Sequence, residues 1–170
     1  IGSQQCSEDG YFRLDSSIYP THYTLTIRQD LERLIFEGEV VIHVVSKSRT
    51  RFIKLHAKNL TVISAKLVNS NNEIEDIMYC KTEETVAFKF EKDIIGRVKL
   101  KILYDGFISD HHLNGLYAFK SNANDVTRYS TATQFEAFSA RKAFPCFDEP
   151  GFKATFKITI IAPKDRTVLS

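Results

Sequence analysis

Between Thr133 and Pro150 the chain reads Thr-Gln-Phe-Glu-Ala-Phe-Ser-Ala-Arg-Lys-Ala-Phe-Pro-Cys-Phe-Asp-Glu-Pro. Carboxylates (Glu136, Asp148, Glu149), a guanidinium (Arg141), a thiol (Cys146) and aromatic rings stand close together there. Dense, irregular segments attached to a rigid scaffold are where functional sites often sit. The adjacent carboxylates Asp148 and Glu149 suggest acid–base work. Neighbouring residues point apart, however, so the pair reads with Arg141 as internal pairing around a turn. Cys146 reads as a small buried residue, because no histidine shares a motif with it. Pro145 and Pro150 set the course of the loop. Phe138 to Phe144 reads as one short helical turn that must stop before Pro145.

Other reactive residue types are sparse. His43 reads as a surface-facing strand residue, with no second His or Cys at ligand spacing. His111 and His112 are adjacent in a stretch rich in Asp and Asn, and read as a solvated loop. The three cysteines, Cys6, Cys80 and Cys146, are too few and too odd in number for a disulfide framework. No Cys-x-x-Cys or Cys-x-x-His occurs, so no structural zinc site is expected. Asn59-Leu60-Thr61 is a sequon and a candidate glycosylation site if the protein is secreted.

The elements that would position these residues follow a period of two. Tyr23, Leu25 and Ile27 alternate with polar residues, as do Val86, Phe88 and Phe90; Val98, Leu100, Ile102 and Tyr104; and Ala154, Phe156, Ile158 and Ile160. Such alternation marks half-buried strands, and Val, Ile, Thr, Phe and Tyr suit a pleated sheet. Phe36 to Ser46 reads as a long strand with Phe36, Gly38, Val40, Ile42 and Val44 on one face and Glu37, Glu39 and His43 on the other. Turn signals lie at Asn69 to Asn72, Asp105-Gly106 and Asn114-Gly115. The fold class is therefore all-β, an antiparallel sandwich-like or open barrel-like sheet with no long amphipathic helix.

The chain has 170 residues, 43% hydrophobic and 26% charged, with a net charge of +2. These values fit one globular domain with a sizeable core. No basic run interleaved with aromatics appears, so nucleic acid is not an expected partner. No apolar stretch reaches about 18 residues, so this segment is not expected to insert into a membrane. Ile1 to Gly10 lacks the features of a signal peptide and reads as a flexible amino-terminal segment.

Three blocks, in order along the chain, resemble the amino-terminal domain of M1 (gluzincin) zinc aminopeptidases. Ile18-Tyr19-Pro20-Thr21-His22-Tyr23 resembles its opening, Gly115-Leu116-Tyr117 a later landmark, and Gln134 to Phe156 its signature block. The resemblance covers about residues 11–170. It implies a saddle-shaped antiparallel β-domain, truncated at its carboxyl end, from an enzyme that removes amino-terminal residues from peptides. It also implies that Glu136 helps bind the substrate's free α-ammonium group and that Gln134 lines the pocket for the first side chain. On a strand, positions two apart share a face, so both could point at one cavity.

The zinc motif His-Glu-x-x-His and the Gly-x-Met-Glu-Asn loop are both absent, and the only methionine is Met78. Zinc would then be a cofactor of the parent enzyme, held by residues outside this chain. The partners would be peptide substrates and the parent's own catalytic domain, and this chain alone would be inactive. Two alternatives stay open: a non-catalytic scaffold of M1-like architecture, and a stand-alone β-sandwich interaction module. The Asn59 sequon tilts the compartment toward an extracellular or lumenal ectodomain, with the cytoplasm as alternative.

Overall fold

The computed structural model describes Cys6, residues 13–123 and residues 126–169. Eight strands appear: β1 (Ile18–Asp30), β2 (Ile35–His56), β3 (Leu60–Leu67), β4 (Ile74–Cys80), β5 (Thr85–Phe107), β6 (Gly115–Ala123), β7 (Val126–Gln134) and β8 (Thr155–Ile161). The main sheet has the order β3-β5-β2-β1-β8, with β4 added along the first part of β5. β6 and β7 form a separate two-stranded antiparallel sheet. All pairings are antiparallel except β1 with β8, which is parallel. Alternation places a strand's faces but not its direction, so that exception was not readable in the sequence.

The inward faces are those set by the period of two. Tyr23, Leu25 and Ile27 of β1, Phe36, Val40, Ile42 and Val44 of β2, and Val86, Phe88, Phe90, Leu100, Ile102 and Tyr104 of β5 are all buried. The expected face of β8 departs from this. Phe156 stacks on Tyr23 at 4.7 Å between ring centroids, yet Phe156 and Ile158 stay 49% and 48% exposed. β8 is an edge strand, and among the described residues no further layer closes over it.

Two glycine positions are decided by packing. Gly38 of β2 faces Tyr104 of β5 in register, and a Cβ there would lie 2.1 Å from the Tyr104 ring. The missing side chain is the space the ring occupies. Gly106 corrects the turn expected at Asp105-Gly106: it lies within β5, where a Cβ would meet the Phe36 ring at 2.6 Å. Here glycine permits close packing and does not reverse the chain.

The cysteines also require a correction. Cys6 and Cys80 form a disulfide across a separation of 74 residues, leaving Cys146 free and buried. An odd count misled because one thiol is an ordinary core residue and the other two meet only through the fold. The other residues of the expected flexible segment 1–10 lie outside the described residues.

Because the Tyr104 ring fills the place of a side chain at Gly38, Gly38→Ala is expected to destabilise the protein by about 1–3 kcal/mol. Gly151→Ala, where nothing lies within 4 Å of the added atom, is the control and should leave stability unchanged. Thermal melts of the two variants measure this, and equal melting temperatures would contradict it.

Candidate functional site

Gln134 is the last residue of β7 and pairs with Gly115, the first of β6. Glu136 lies beyond the strand, in a turn, and its peptide bond to Ala137 is cis. The two side chains therefore do not share a strand face as expected, since Gln134 is on β7 and Glu136 is beyond its end. Both are exposed, as are Ala137 and Phe138. From Ser139 onward the segment sinks: Ser139, Arg141, Ala143, Phe144, Cys146 and Phe147 are buried. The single helical turn expected between Phe138 and Phe144 is a 3-10 turn at Ala140–Lys142.

The buried part is sewn to the main sheet at both ends. The Tyr104 hydroxyl donates to the Ala143 carbonyl (3.0 Å), and the Phe147 N–H donates to the Tyr23 hydroxyl (3.1 Å). His56 and Cys146 exchange backbone hydrogen bonds of 2.8 and 3.1 Å, and the Asp148 N–H donates to His56 Nδ1 (3.3 Å). The Lys58 N–H donates to the Arg141 carbonyl (2.9 Å). These partners come from β1, β2 and β5, and from the turn after β2. A segment with little regular structure of its own is thus held by elements that have it.

Arg141 closes the turn on itself. Its Nε donates to Asp148 Oδ2 at 2.8 Å, one Nη to the Asp148 carbonyl at 3.3 Å, and the other to Glu84 Oε2 at 3.3 Å. The guanidinium also lies 5.6 Å from the centre of the exposed Phe138 ring. Glu84 accepts from Lys58 as well. Burial pushes the Glu84 carboxyl upward, but the hydrogen bond and charge of Lys58 and the charge of Arg141 outweigh it and hold the carboxyl below its usual range. The internal pairing read from the sequence is therefore Arg141 with Asp148. Glu149 instead accepts from the Leu14 N–H (2.8 Å) and ties in the start of the chain.

Gly115 holds the open end of the turn. Its φ of +69° suits glycine, and a Cβ there would stand 2.7 Å from Lys142 Cβ. Lys142 Nζ donates to Asn114 Oδ1 at 2.6 Å. The 3-10 turn is thereby pressed against the strand that pairs with Gln134. Tyr104, Tyr23, His56, Glu84 and Lys142 were not singled out from sequence as supports of this segment. One signal was present: a tyrosine on an inward strand face needs a partner for its hydroxyl, and both tyrosines find that partner in the same segment.

The remaining candidates divide. Cys146 is buried and its thiol is pushed well up, by burial first and then by the Asp148 carboxylate, so it stays protonated. His43 stands on the outer face of β2 as expected, but His22 of β1 lies directly opposite it, with ring centroids 5.2 Å apart. His111 is exposed beside Asp110. Asn59 is exposed at the turn between β2 and β3, with a φ of 55°. Among the described residues no three His, Cys, Asp or Glu side chains are grouped to hold a metal ion, so no donor set here fits a zinc ion. Surface cavities of about 680 and 580 Å³ are lined by residues other than Gln134 and Glu136.

A family model, the Peptidase M1 N-terminal domain, matches residues 19–170. Aminopeptidase M1-B of Oryza sativa subsp. japonica is 34% identical over 162 residues, covering 95% of this chain and 18% of that protein. Aminopeptidase 2 of Candida albicans is 34% identical over 159 residues, 92% of this chain and 17% of the relative. The thyrotropin-releasing hormone-degrading ectoenzyme of Homo sapiens is 33% identical over 154 residues, 87% and 14% respectively. This chain therefore spans less than a fifth of the length of each.

The buried imidazole of His56 gives the segment an acid sensitivity. Burial, then the charge of Arg141, lowers its pKa to about 4 against the opposing pull of Asp148, Glu149 and Glu84. An unfolded histidine titrates near about 6.5. Between these values the unfolded chain binds more protons, so stability falls as pH drops from about 6.5 toward 4. His56→Asn retains an acceptor for the Asp148 amide without the titration. It is expected to remove a pH dependence of up to about 3 kcal/mol. Thermal melts of both proteins from neutral to acid pH measure this, and parallel curves would contradict it.

Proposed function

The chain belongs to the peptidase M1 N-terminal domain family, and from that premise we propose that it forms one wall of the substrate cleft of a parent zinc aminopeptidase. In this reading Glu136 receives the free α-ammonium group of a peptide, and Gln134 lines the pocket of its first side chain. The observation that carries it is the contrast within one segment. Gln134, Glu136, Ala137 and Phe138 are exposed, while the stretch from Ser139 to Phe147 is largely buried and pinned to the sheet. A turn whose following segment is anchored leaves less of the backbone to order when a ligand binds.

The chemistry suits the task. A carboxylate in a partly dry cleft offers an ammonium a strong charge-assisted hydrogen bond and offers an amide nothing comparable. That difference would let an enzyme choose chain ends over internal peptide bonds. The zinc of the parent would polarise the scissile carbonyl and is assigned to residues outside this chain. The chain alone is then a binding wall without catalytic activity. The half-exposed Phe156 and Ile158 of β8 support a reading in which further parts of the parent pack there.

The same proposal carries a compartment. The Cys6–Cys80 disulfide is at home in an oxidising milieu, and the exposed Asn59 of the sequon is open to glycosylation there. An extracellular or lumenal parent is consistent with both.

In the full-length parent, Glu136→Gln is expected to raise KM for peptides with a free amino terminus by at least about tenfold, as loss of a charged partner predicts. It should also narrow the preference for free over Nα-acetylated peptides. Steady-state kinetics on the two substrate types measure this. An unchanged KM and unchanged preference would remove the assigned role.

A further inference from the structure

The outward face of the main sheet carries a band of cations that the peptide site does not use. Strand register sets them side by side. Lys99 of β5, His43 of β2, His22 of β1 and Thr155 of β8 form one row across four strands. The next row runs Lys66, Lys101, Val41, Thr24 and Lys157 across five. Arg97, opposite Val45, flanks the first row. At roughly 4.8 Å between strands, the five-strand row spans about 19 Å.

These charges are left unbalanced. Lys101 is paired with Glu39 at 2.9 Å, but Lys66, Arg97, Lys99 and Lys157 form no ion pair among the described residues. Elsewhere Arg51, Lys54, Lys58, Lys89 and Arg141 each have a carboxylate. Lys66 stands directly opposite Lys101, and Lys99 directly opposite His43. Ammonium groups facing each other across strands, as those of Lys66 and Lys101 do, disfavour one another. Burial and then the charge of Lys99 lower the pKa of His43, as that crowding requires.

One end of the band deepens into a cavity of about 580 Å³, whose lining includes Arg97, Lys99, His43, Thr21, Asn69 and Ser70 and no carboxylate. Cations surrounded by hydroxyl and amide groups are what an oxyanion seeks.

We propose that this face binds a linear sulfated polysaccharide, with one sulfate group in the cavity at Arg97 and Lys99 and the chain crossing the strands to Lys157. Register favours this over a compact polyanion, because the cations are spread across five strands and not gathered at one point. No Phe, Tyr or Trp stands in the two rows for nucleic-acid bases to stack on, and the His22 and His43 rings are set edge to face against each other. Val41, the apolar residue of the rows, is half-buried and ill placed to enter a bilayer. Sulfate esters occur on extracellular polysaccharides, in the same oxidising surroundings that suit the Cys6–Cys80 disulfide. The proposal does not depend on the role of Glu136.

The test uses the full-length parent and a fluorescent, heparin-derived hexasaccharide at about 150 mM salt. The native protein should bind, more weakly as salt rises. The pair Lys99→Glu with Lys157→Glu should weaken binding at least about tenfold, and Lys99→Gln with Lys157→Gln should weaken it less. Lys92→Glu, a charge reversal outside the band, should leave affinity unchanged. Peptidase turnover and melting temperature should stay at native values throughout, which keeps this result separate from the fate of the peptide site. Absence of binding by the native protein would overturn the proposal. So would an equal loss in Lys92→Glu, or binding to phosphatidylserine vesicles without binding to the hexasaccharide.

Discussion

A guanidinium taken out of water must be paired, and Arg141 is buried. Its partners are the carboxylate and carbonyl of Asp148 and the carboxylate of Glu84. Asp148 is seven residues further along the same segment, and Glu84 stands at the turn into β5. One charge therefore fixes how the segment folds back on itself and where it sits on the sheet. Removing one partner would strand a buried charge, which typically costs about 3–5 kcal/mol. The exposed turn at Glu136 inherits its position from that requirement. The Ser139 N–H on the Phe135 carbonyl (2.9 Å) and the Phe138 ring under the guanidinium connect the two.

Around this charge the fold supplies two rigid hydroxyls. Tyr104 reaches the segment from β5 because Gly38 leaves room for its ring, and Tyr23 reaches it from β1, on the other side of β2. Burial raises the hydroxyl pKa of both, so each remains protonated and able to take part in its bond. Three strands thus converge on a stretch of chain that has a single 3-10 turn of its own. The arrangement separates two tasks: the core provides rigidity, and the few residues left outside it are free to meet a ligand.

The inner faces of β1, β2 and β5 were legible in the sequence because burial on one side of a strand imposes a period of two. The core from Tyr23 to Tyr104 followed from that rule, and so did the gap at Gly38. What the period cannot encode is partnership. The parallel approach of β8 to β1, the meeting of His22 with His43 and the Cys6–Cys80 bond all join residues remote in sequence. Gly106 was misread as a turn because glycine serves both reversal and close packing, and only the Phe36 ring and Leu60 decide between them. In the candidate site, the pairing of Arg141 with the carboxylates of the turn was readable, but not that Asp148 alone of the two takes it while Glu149 goes to Leu14. The position of Glu136 beyond the end of β7 was not, since the strand ends where its partner β6 begins at Gly115. The cationic rows were hidden for the same reason: Lys66, Lys99 and Lys157 lie far apart in sequence, and strand register alone assembles them.

A segment locked by Arg141 is proposed to hold the Glu136 carboxylate where a peptide's amino terminus arrives. The most direct measurement is a crystal structure of the full-length parent with a non-cleavable peptide bound. A Glu136 carboxylate oxygen about 3 Å from the peptide ammonium, with Arg141 still on Asp148, is the expected result. An ammonium held by other residues, with Glu136 turned toward solvent, would contradict it.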